Sequence, residues 1–401
     1  MKILLADSLP ATALARLEAA GDEVVVDASL TATDLGAALA GFEVLVVRST
    51  EVTADALAHA DELALIVRAG AGTNTIDTVT AAELGIFVCN VPGQNALAVA
   101  ELAMGLLIAV DRHIAAATAD LRAGQWNKKA YSKADGLFGR TLGIIGLGDI
   151  GIAMAARATA FGIDVIAIDK PGRPATTLER ASRAGVRFVS SLDALLATAD
   201  IVSLHVPGGS ETKGMVDAGF LAKMKDDAIL LNTCRGDVVD EAALIAAMDT
   251  RGLRAGLDVF ADEPGSSTGE FVSALAQHPS VVATHHVGAS TEQAQQAVAA
   301  GTIDAIEAYR AGGVVNCVNM EAEPQRAATL SVRHKDRVGV LAAVLAILRG
   351  SDLNVSTMSN RVFAGARAAV AAIDVDGVPT DEVLAQITAH EHVINVSVTL
   401  A

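Results

Sequence analysis

The 401-residue chain lacks the run of about 18–20 apolar residues that a transmembrane helix needs. Its longest apolar stretch, Ala96–Val110, is interrupted by Glu101. An excess of basic residues is also missing, because the formal net charge is −17. That charge argues against a nucleic-acid partner and against an anionic membrane surface. An acidic protein that binds an anionic ligand must therefore build a local basic pocket.

Cysteine is scarce as well. Cys89, Cys234 and Cys317 are widely spaced and odd in number, which excludes a disulfide framework and a C-x-x-C metal site. The first residues, Met1–Asp7, become acidic too early for a signal peptide and are typical of a first strand. Low-complexity tracts and repeats of fixed period are also lacking. We therefore expect a protein of the reducing cytoplasm.

Short apolar strands alternate with helix-like segments in two stretches, residues 1–90 and 142–285. Regular βα alternation predicts an α/β protein with two doubly wound parallel-sheet domains, Rossmann-like or flavodoxin-like. A long apolar helix over 96–122 would carry the chain into the second sheet, and a helix over 291–311 would return it. The predicted strands are 3–6, 24–26, 44–47, 64–67, 86–89, 142–145, 165–168, 186–189, 201–205, 229–232, 256–259 and 281–283.

A glycine fingerprint opens the second stretch. The strand Leu142–Ile145 runs into Gly146-Leu147-Gly148-Asp149-Ile150-Gly151, and a helical pattern follows. Gly146 permits a tight turn, Gly148 lets backbone N–H groups approach a pyrophosphate, and Gly151 lets the helix pack on the strand. The positive end of the helix then faces the phosphates. The motif predicts a dinucleotide site.

A second strand ends at Asp169, about 20 residues beyond the glycines, where a ribose hydroxyl is bound. This carboxylate would repel a 2′-phosphate, so it favours NAD over NADP. Lys170 and Arg173 lie nearby and weaken that preference without reversing it.

Later strands of the same sheet are followed by groups suited to hydroxy-acid chemistry. Arg235 offers a permanent cation for a carboxylate, and His285 and His286 offer a base near neutral pH. Asp258 and Glu263 offer acids that could orient such a base. Alternatives remain for each: a surface arginine paired with a neighbouring acid, a solvated acidic turn, or histidines that bind a metal. No third metal ligand sits at suitable spacing, so we expect no metal.

Together these motifs resemble the D-isomer-specific 2-hydroxyacid dehydrogenase family over almost the whole chain. The resemblance implies that Arg235 holds the substrate carboxylate, His286 carries the proton and Glu263 pairs with His286. Cys234 stands where a smaller residue is usual, as either a reactive thiol or a buried core thiol. The cofactor contacts implied are Gly146, Gly148, Asp149, Ile150, Gly151, Asp169, His205, Val206, Pro207, Thr233, Cys234, Asp258 and Gly288.

The first sheet carries further cations at its strand ends. Arg48-Ser49 follows the third strand and Arg68-Ala69-Gly70 the fourth. These arginines, with Lys128 and Lys129, exceed what a plain hydroxy acid needs and suit a phosphate as well. The remaining substrate candidate is Asn95.

The same residues resemble the branch of the family that oxidises 3-phospho-D-glycerate with NAD to 3-phosphohydroxypyruvate, the first step of L-serine biosynthesis. In that branch the basic pair at Lys128 and Lys129 can come from the neighbouring subunit; a solvated loop explains this pair equally well. Alternative functions are a reductase for another 2-oxo acid, such as 2-oxoglutarate or hydroxypyruvate, and an NAD-sensing corepressor-like protein.

Residues 314–326 lose periodicity and predict a linker. Beyond it the order strand, helix, strand, strand, helix, strand predicts a ferredoxin-like sandwich. Its residues 334–341 resemble the ACT domain, a small-molecule sensor, which implies effector contacts at His334, Asp336 and Asn354, L-serine as an effector, and a homodimer or homotetramer. We therefore expect a discontinuous substrate domain (1–95 and 291–320), an NAD domain (96–290) and an ACT domain (327–401).

Overall fold

The computed structural model describes residues 1–264, 268–321 and 326–401. Two compact units divide the chain at Asn319–Met320. The first contains two parallel sheets and the second contains one antiparallel sheet. Among the described residues, no helix is both long and apolar enough to cross a bilayer.

The first parallel sheet has the order β2-β1-β3-β4-β5, which is the flavodoxin-like winding. Its central strands are buried on both faces, as helix-covered parallel strands must be. Its strands are β1 (Lys2–Leu5), β2 (Glu23–Val26), β3 (Val44–Val47), β4 (Leu65–Arg68) and β5 (Phe87–Asn90). Its helices are α1 (Ala11–Ala19), α2 (Ala32–Ala38), α3 (Ala54–Leu57) and α4 (Thr78–Glu83).

The second sheet has seven parallel strands in the order β12-β11-β10-β9-β6-β7-β8. The order reverses beside β6, the fingerprint strand, which is where such sheets bind dinucleotides. The strands are β6 (Thr141–Ile145), β7 (Asp164–Ile168), β8 (Val186–Val189), β9 (Ile201–Leu204), β10 (Ile229–Asn232), β11 (Arg254–Leu257) and β12 (Val281–Ala283). The helices are α5 (Ala96–Asp111), α6 (Ile114–Arg122), α7 (Asp149–Ala160), α8 (Ala175–Arg183), α9 (Leu192–Thr198), α10 (Ala218–Lys223), α11 (Glu241–Arg251) and α12 (Glu292–Arg310).

The two long helices connect the sheets. α5 packs on the second sheet beside β10 and β11, whereas α12 returns to pack against β4 and β5 of the first. Ile303 and Ile306 of α12 share a core with strand residues of the first sheet. The chain therefore crosses between the sheets twice.

The prediction of one helix over 96–122 is wrong, because the structure breaks it into α5 and α6. His113 adopts a left-handed backbone with φ of +53° between them. α5 buries most of its residues, whereas α6 buries none. Asp111-Arg112-His113 interrupt the apolar pattern at the break, and the alanines of α6 keep the segment beyond it helical while making it less apolar than α5.

The predicted linker begins too early. Residues 316–319 run along the edge strand β5, where Cys317 forms an antiparallel bridge with Cys89. The Asn319 side chain makes two further hydrogen bonds there. It accepts one from Val88 N of β5 at 2.9 Å and donates one at 2.8 Å to the carbonyl oxygen of Ile86, the residue before β5. Of the remaining predicted linker, residues 322–325 lie outside the described residues.

The second unit has the element order that the sequence predicts: β13 (Ala328–Lys335), α13 (Val340–Gly350), β14 (Val355–Val362), β15 (Ala368–Val375), α14 (Asp381–Thr388) and β16 (Val393–Leu400). Its antiparallel sheet has the order β14-β15-β13-β16. Alternate residues of β13, such as Leu330 and Val332, join Val344 of α13 and Ile387 of α14 in one core. Both helices therefore cover the same face of the sheet.

Candidate active site

A cleft of about 2010 Å³ lies in the first unit, lined by loops that follow strands of both parallel sheets. Common small-molecule sites enclose about 300–1,000 Å³, so this cleft has room for a dinucleotide together with a small acid. Sixteen of the predicted residues line it: Arg48, Ser49, Arg68, Gly70, Asn95, Ile150, His205, Val206, Pro207, Thr233, Cys234, Arg235, Asp258, Glu263, His286 and Gly288.

The fingerprint turn is packed as tightly as its glycines require. Gly146 has a φ of +96°, and a Cβ there would lie 2.1 Å from the carbonyl oxygen of His205. A Cβ on Gly151 would lie 2.2 Å from the carbonyl oxygen of Gly146, so α7 rests directly on the turn. Gly148 has nothing within 4 Å of its Cβ position, which leaves its backbone open to a ligand at the start of α7.

Acidic residues flank this turn. Asp149 begins α7 and forms an ion pair with Arg180 of α8, with Oδ1 and Nη1 2.7 Å apart. Asp169 is exposed after β7, and its side chain has no partner among the described residues. Arg173 turns back instead, donating to the carbonyl oxygen of Ile168 and lying over the Phe188 ring. Asp149 and Asp169, two of the predicted cofactor residues, do not line the cleft, although Ile150 of the fingerprint turn does.

Two polar atoms of the cleft wall fit a bound cofactor. His205 Nδ1 and Thr233 Oγ1 are buried and have no hydrogen-bond partner among the described residues. The other ring nitrogen of His205 lies 2.9 Å from Ser203 Oγ. Burial lowers the pKa of His205 to about 4, so the ring is neutral at physiological pH. The wall thus supplies uncharged polar groups beside the glycine turn, as a dinucleotide site requires.

A histidine–carboxylate pair lies across the cleft. His286 Nδ1 is 2.6 Å from Glu263 Oε2, while Glu263 Oε1 accepts from Phe260 N at 2.7 Å. The hydrogen bond that Glu263 accepts from His286 is the main cause of the raised pKa of His286, and burial opposes it. Burial raises the pKa of Glu263, but its bonds to His286 and Phe260 outweigh this and lower it overall. Both His285 and His286 are exposed, but of these two only His286 has a side-chain bond to a carboxylate among the described residues, so it is the histidine with an orienting acid.

Asp258 fixes the backbone that carries His286. Its buried carboxylate accepts hydrogen bonds from Thr284 Oγ1, Val287 N and Gly288 N at 2.5, 2.9 and 2.8 Å. The His286 N–H donates to the Asp258 carbonyl at 2.7 Å. His286 itself has a left-handed φ of +52°, which a loop held from both sides can maintain.

Arg235 lies on a turn that Asn232 closes. The buried Asn232 amide donates to the Arg235 carbonyl at 2.9 Å, and its oxygen accepts from Cys234 N at 3.1 Å. A Cβ on the next residue, Gly236, would lie 1.9 Å from the backbone of Phe260. Burial raises the pKa of the Cys234 thiol, and its hydrogen atom is directed to Asn232 Oδ1 at 3.0 Å. These contacts support the buried-thiol alternative over a reactive thiol.

Arginines from both sheets meet in the cleft. Burial lowers the pKa of Arg68, and the positive charges of Arg235 and Arg48 lower it further. Arg68 Nε is buried without a hydrogen-bond partner in the described chain. The Arg235 guanidinium reaches the loop after β4, because Nη2 lies 2.9 Å from a Cβ position on Gly72. In a chain of net charge −17, this cluster is a local concentration of positive charge of the kind that an anion requires.

Asp7 is a site residue that the sequence did not reveal. Its carboxylate follows β1 and accepts from the backbone N–H groups of Arg48, Ser49 and Thr50 at 2.6, 3.0 and 3.1 Å. Burial raises the pKa of Asp7, but these bonds together lower it overall. Asp7 therefore holds the loop that presents Arg48. Its position beyond the first strand was the available signal, since strand ends of one sheet converge.

Some predicted residues are not brought to the cleft. Lys128 and Lys129 are exposed and lie outside its lining. In the second unit, His334 is the penultimate residue of β13 and its Nε2 lies 3.2 Å from Asn360 Oδ1, whereas Asn354 precedes β14. The strand register places Val355 level with Ala328 and Val362 level with His334, through their β15 partners. Asn354 and His334 of one chain therefore lie at opposite ends of the sheet.

Comparison with known proteins identifies this architecture. A family model described as D-isomer specific 2-hydroxyacid dehydrogenase, NAD binding domain, matches residues 104–288. A hydroxypyruvate reductase of Thermotoga maritima is 46% identical over 266 residues, covering 66% of this chain and 83% of that protein. The chain belongs to the D-isomer-specific 2-hydroxyacid dehydrogenase family.

Other members agree in sequence and fold. A D-3-phosphoglycerate dehydrogenase of Methanocaldococcus jannaschii is 40% identical over 328 residues, which is 81% of this chain. The chain spans about 60% of that relative's length and 59% of a similar one from Mycobacterium leprae. A crystal structure of a putative family member from Polaromonas superposes with a TM-score of 0.71 at 30% identity, covering 79% of this chain and 99% of that one.

Proposed function

We propose that the protein oxidises 3-phospho-D-glycerate to 3-phosphohydroxypyruvate with NAD as the acceptor. One observation carries this proposal: three arginines from two sheets share a cleft with the His286–Glu263 pair. A substrate with one carboxylate needs one such cation, whereas a phosphorylated acid uses several. Relatives at 40% identity that are named D-3-phosphoglycerate dehydrogenases support the same substrate.

Each residue then has a chemical task. NAD, when bound, supplies the acceptor for hydride from the substrate carbon. Glu263 faces His286 Nδ1 and keeps the proton there, which leaves Nε2 free to take the hydroxyl proton during oxidation. In reduction, the charged imidazole returns that proton. Arg235 grips the carboxylate next to the reacting carbon and fixes its orientation.

The phosphate would lie at the first sheet. Arg48 and Arg68 supply charge, and the Asp7-held loop also presents Ser49. Asn95 lines the same cleft. Gly70 leaves space for Arg68, since a Cβ there would lie 1.4 Å from Arg68 Nη1.

The test compares NADH formation from 3-phospho-D-glycerate with that from D-glycerate. We expect strong preference for the phosphorylated acid, and we expect Arg48→Ala to reduce kcat/KM for that acid by roughly 10- to 100-fold. The same variant should change D-glycerate turnover little. Equal losses with both acids, or no preference in the wild type, would contradict the phosphate assignment.

A second candidate is reduction of hydroxypyruvate. This chain covers 83% of the Thermotoga maritima hydroxypyruvate reductase, against about 60% of the D-3-phosphoglycerate dehydrogenases of Methanocaldococcus jannaschii and Mycobacterium leprae. That substrate has a carboxylate but no phosphate. NADH oxidation with hydroxypyruvate at a higher kcat/KM than with 3-phosphohydroxypyruvate would favour this candidate.

We also propose that the second unit is an ACT-type regulatory domain in a homodimer or homotetramer. His334, Asp336 and Asn354 are its candidate effector contacts, with L-serine as the ligand to test. Since one chain separates His334 from Asn354, a complete site would combine these residues from two chains. The basic pair Lys128 and Lys129 would reach the cleft of a neighbouring subunit. Inhibition by L-serine that disappears in Asn354→Ala would support this proposal, and inhibition unaffected by that change would count against it.

A further inference from the structure

Two cysteines outside the cleft face each other across an antiparallel pairing. Cys89 is in β5, and Cys317 lies on the segment that runs along its edge. The flanking backbone bonds join Asn90 N to Asn316 O at 3.2 Å and Val318 N to Val88 O at 2.8 Å. The bonds therefore come from the residues on either side, which makes Cys89 and Cys317 a non-hydrogen-bonded pair.

That register is the one in which cross-strand side chains lie closest. Opposed Cα atoms in a non-hydrogen-bonded pair are about 4.5 Å apart. Disulfides span Cα separations of about 4.4–6.8 Å. The Cα separation typical of such a pair therefore falls within the range that a disulfide spans.

The two thiols differ in access to solvent. Cys89 is buried, and burial is the largest cause that raises its pKa to about 12, followed by the charge and hydrogen bond of Cys317. Cys317 is only partly buried and donates a hydrogen bond to Asn319 Oδ1 at 3.2 Å. Cys317 is thus the sulfur that an oxidant reaches first, and Cys89 is the resolving partner behind it.

We propose that Cys89 and Cys317 are a redox modification site that forms a reversible intramolecular disulfide in response to a hydroperoxide. The Cys317 sulfur attacks one peroxide oxygen and the O–O bond breaks, giving a sulfenic acid and, with the Cys317 proton, one water. The Cys89 sulfur then attacks the sulfenic sulfur. The S–O bond breaks, and the hydroxyl leaves with the Cys89 proton as the second water. Two thiols are oxidised, and hydrogen peroxide is reduced to two waters.

The disulfide would connect two functionally placed segments. Asn90, next to Cys89, donates to the Ala71 carbonyl at 2.6 Å, and Val91 N donates to the Gly70 carbonyl at 2.9 Å. Both bonds hold the loop that follows Arg68 at the end of β4. Cys317 is two residues from Asn319, where the first unit ends. The covalent bond would therefore fasten the end of the first unit to β5, the strand that supports the loop after β4.

The experiment treats the purified full chain with hydrogen peroxide and maps thiols and peptides by mass spectrometry. We expect two of the three free cysteines to disappear and a Cys89–Cys317 linked peptide to form, with reversal by dithiothreitol. Cys317→Ser should abolish the link, whereas Cys234→Ser should preserve it. Sulfinic acid on Cys317 with Cys89 still free, or links between chains, would overturn the proposal.

A second readout uses the wild-type chain alone. Because the bond closes a long loop, the thermal unfolding midpoint should rise on oxidation and return on reduction. An unchanged midpoint in a sample shown to contain the linked peptide would overturn the claim that the bond constrains the chain.

Discussion

His286 combines two features that single residues seldom combine, a left-handed backbone and a tightly bonded ring nitrogen. The bond to Glu263 raises the pKa of the imidazole by favouring its charged form. Because the pKa of Glu263 is lowered in the folded state, the stabilisation by this pair is lost as pH falls through that pKa, and because the pKa of His286 is raised, it is also lost as pH rises through the pKa of His286. The same shift sets the pH range in which the ring can accept a proton.

Glu263→Gln tests this coupling through the pH profile. Oxidation needs neutral His286, so its kcat/KM should fall on the acid side as the imidazole becomes charged. Removing the Glu263 charge should lower the His286 pKa and move that acid limb to lower pH, with a reduced maximum rate. His285→Ala is the matched control and should leave the limb in place. A limb that stays fixed in Glu263→Gln would assign the titration to another group.

Both the charge and the planar shape of the Arg235 guanidinium suit it to bind a carboxylate. Arg235→Ala should remove about 2–5 kcal/mol of transition-state stabilisation and so reduce kcat/KM roughly 30- to 4,000-fold, because a bound carboxylate would lose its bidentate partner. Arg235→Lys should recover only part of this loss, because an ammonium cannot form the paired bonds. NADH binding, followed by fluorescence, should be similar in both variants. Full activity in Arg235→Lys would show that charge alone suffices.

Residues at strand ends were readable from the sequence, but their partners were not. Arg235, Glu263 and His286 could be predicted because polar side chains followed buried strands. The hydrogen bonds of Asp7 and Asn232 were not predicted, since they depend on loops that are distant in sequence or on the exact shape of a turn. Hydrogen bonds of this kind have no periodicity, so a pattern-based reading does not detect them.

At the scale of elements, the loop after β4 is shaped by a steric constraint. Gly70 has a φ of +144°, and a Cβ there would lie 1.4 Å from Arg68 Nη1. Gly70→Ala should therefore displace Arg68 and raise KM for a phosphorylated acid by roughly 10- to 150-fold. Steady-state kinetics would measure this effect.

Gly105→Ala is the matched control for that substitution. Gly105 lies inside α5 with nothing within 4 Å of its Cβ position. Alanine there should leave KM unchanged and raise the free energy of unfolding by up to about 1 kcal/mol. If both variants raise KM alike, the loss in Gly70→Ala does not arise from Arg68.

Strands were predictable because a helix-covered parallel strand is a short, nearly continuous apolar run, as in Val44–Val47. The break between α5 and α6 was not, because Ala-rich helical sequence continues on both sides of His113. The left-handed backbone conformation of His113 separates α5 from α6. The pairing of residues 316–319 with β5 was equally hidden, since four residues are too few to show alternation.

At the scale of the whole molecule, α6 and the loop after it leave large apolar side chains in solvent. Leu121, Trp126 and Phe138 are 59%, 81% and 89% exposed in a single chain. Trp126 is the sole tryptophan. If the proposed homo-oligomer forms through this surface, the fluorescence emission of Trp126 reports assembly directly.

Leu121→Arg should then give a smaller species by light scattering and a red-shifted Trp126 emission. A charge within a buried apolar interface opposes association. Lys133→Ala, a change at an exposed polar position of the same loop, is the control and should remain assembled. A Leu121→Arg variant with wild-type mass and emission would place the interface elsewhere.

The two chain crossings, through α5 and α12, have a mechanical consequence. With two such crossings, the relative motion that we expect of the sheets is a rotation about the line that joins the crossings. Arg48 and Arg68 lie on one side of the cleft and Arg235 on the other, so this rotation changes the gap between them. A dianionic acid held at both ends would fix the angle, whereas a shorter monoanion could not. Selectivity would then arise from the length of the substrate as much as from its charge.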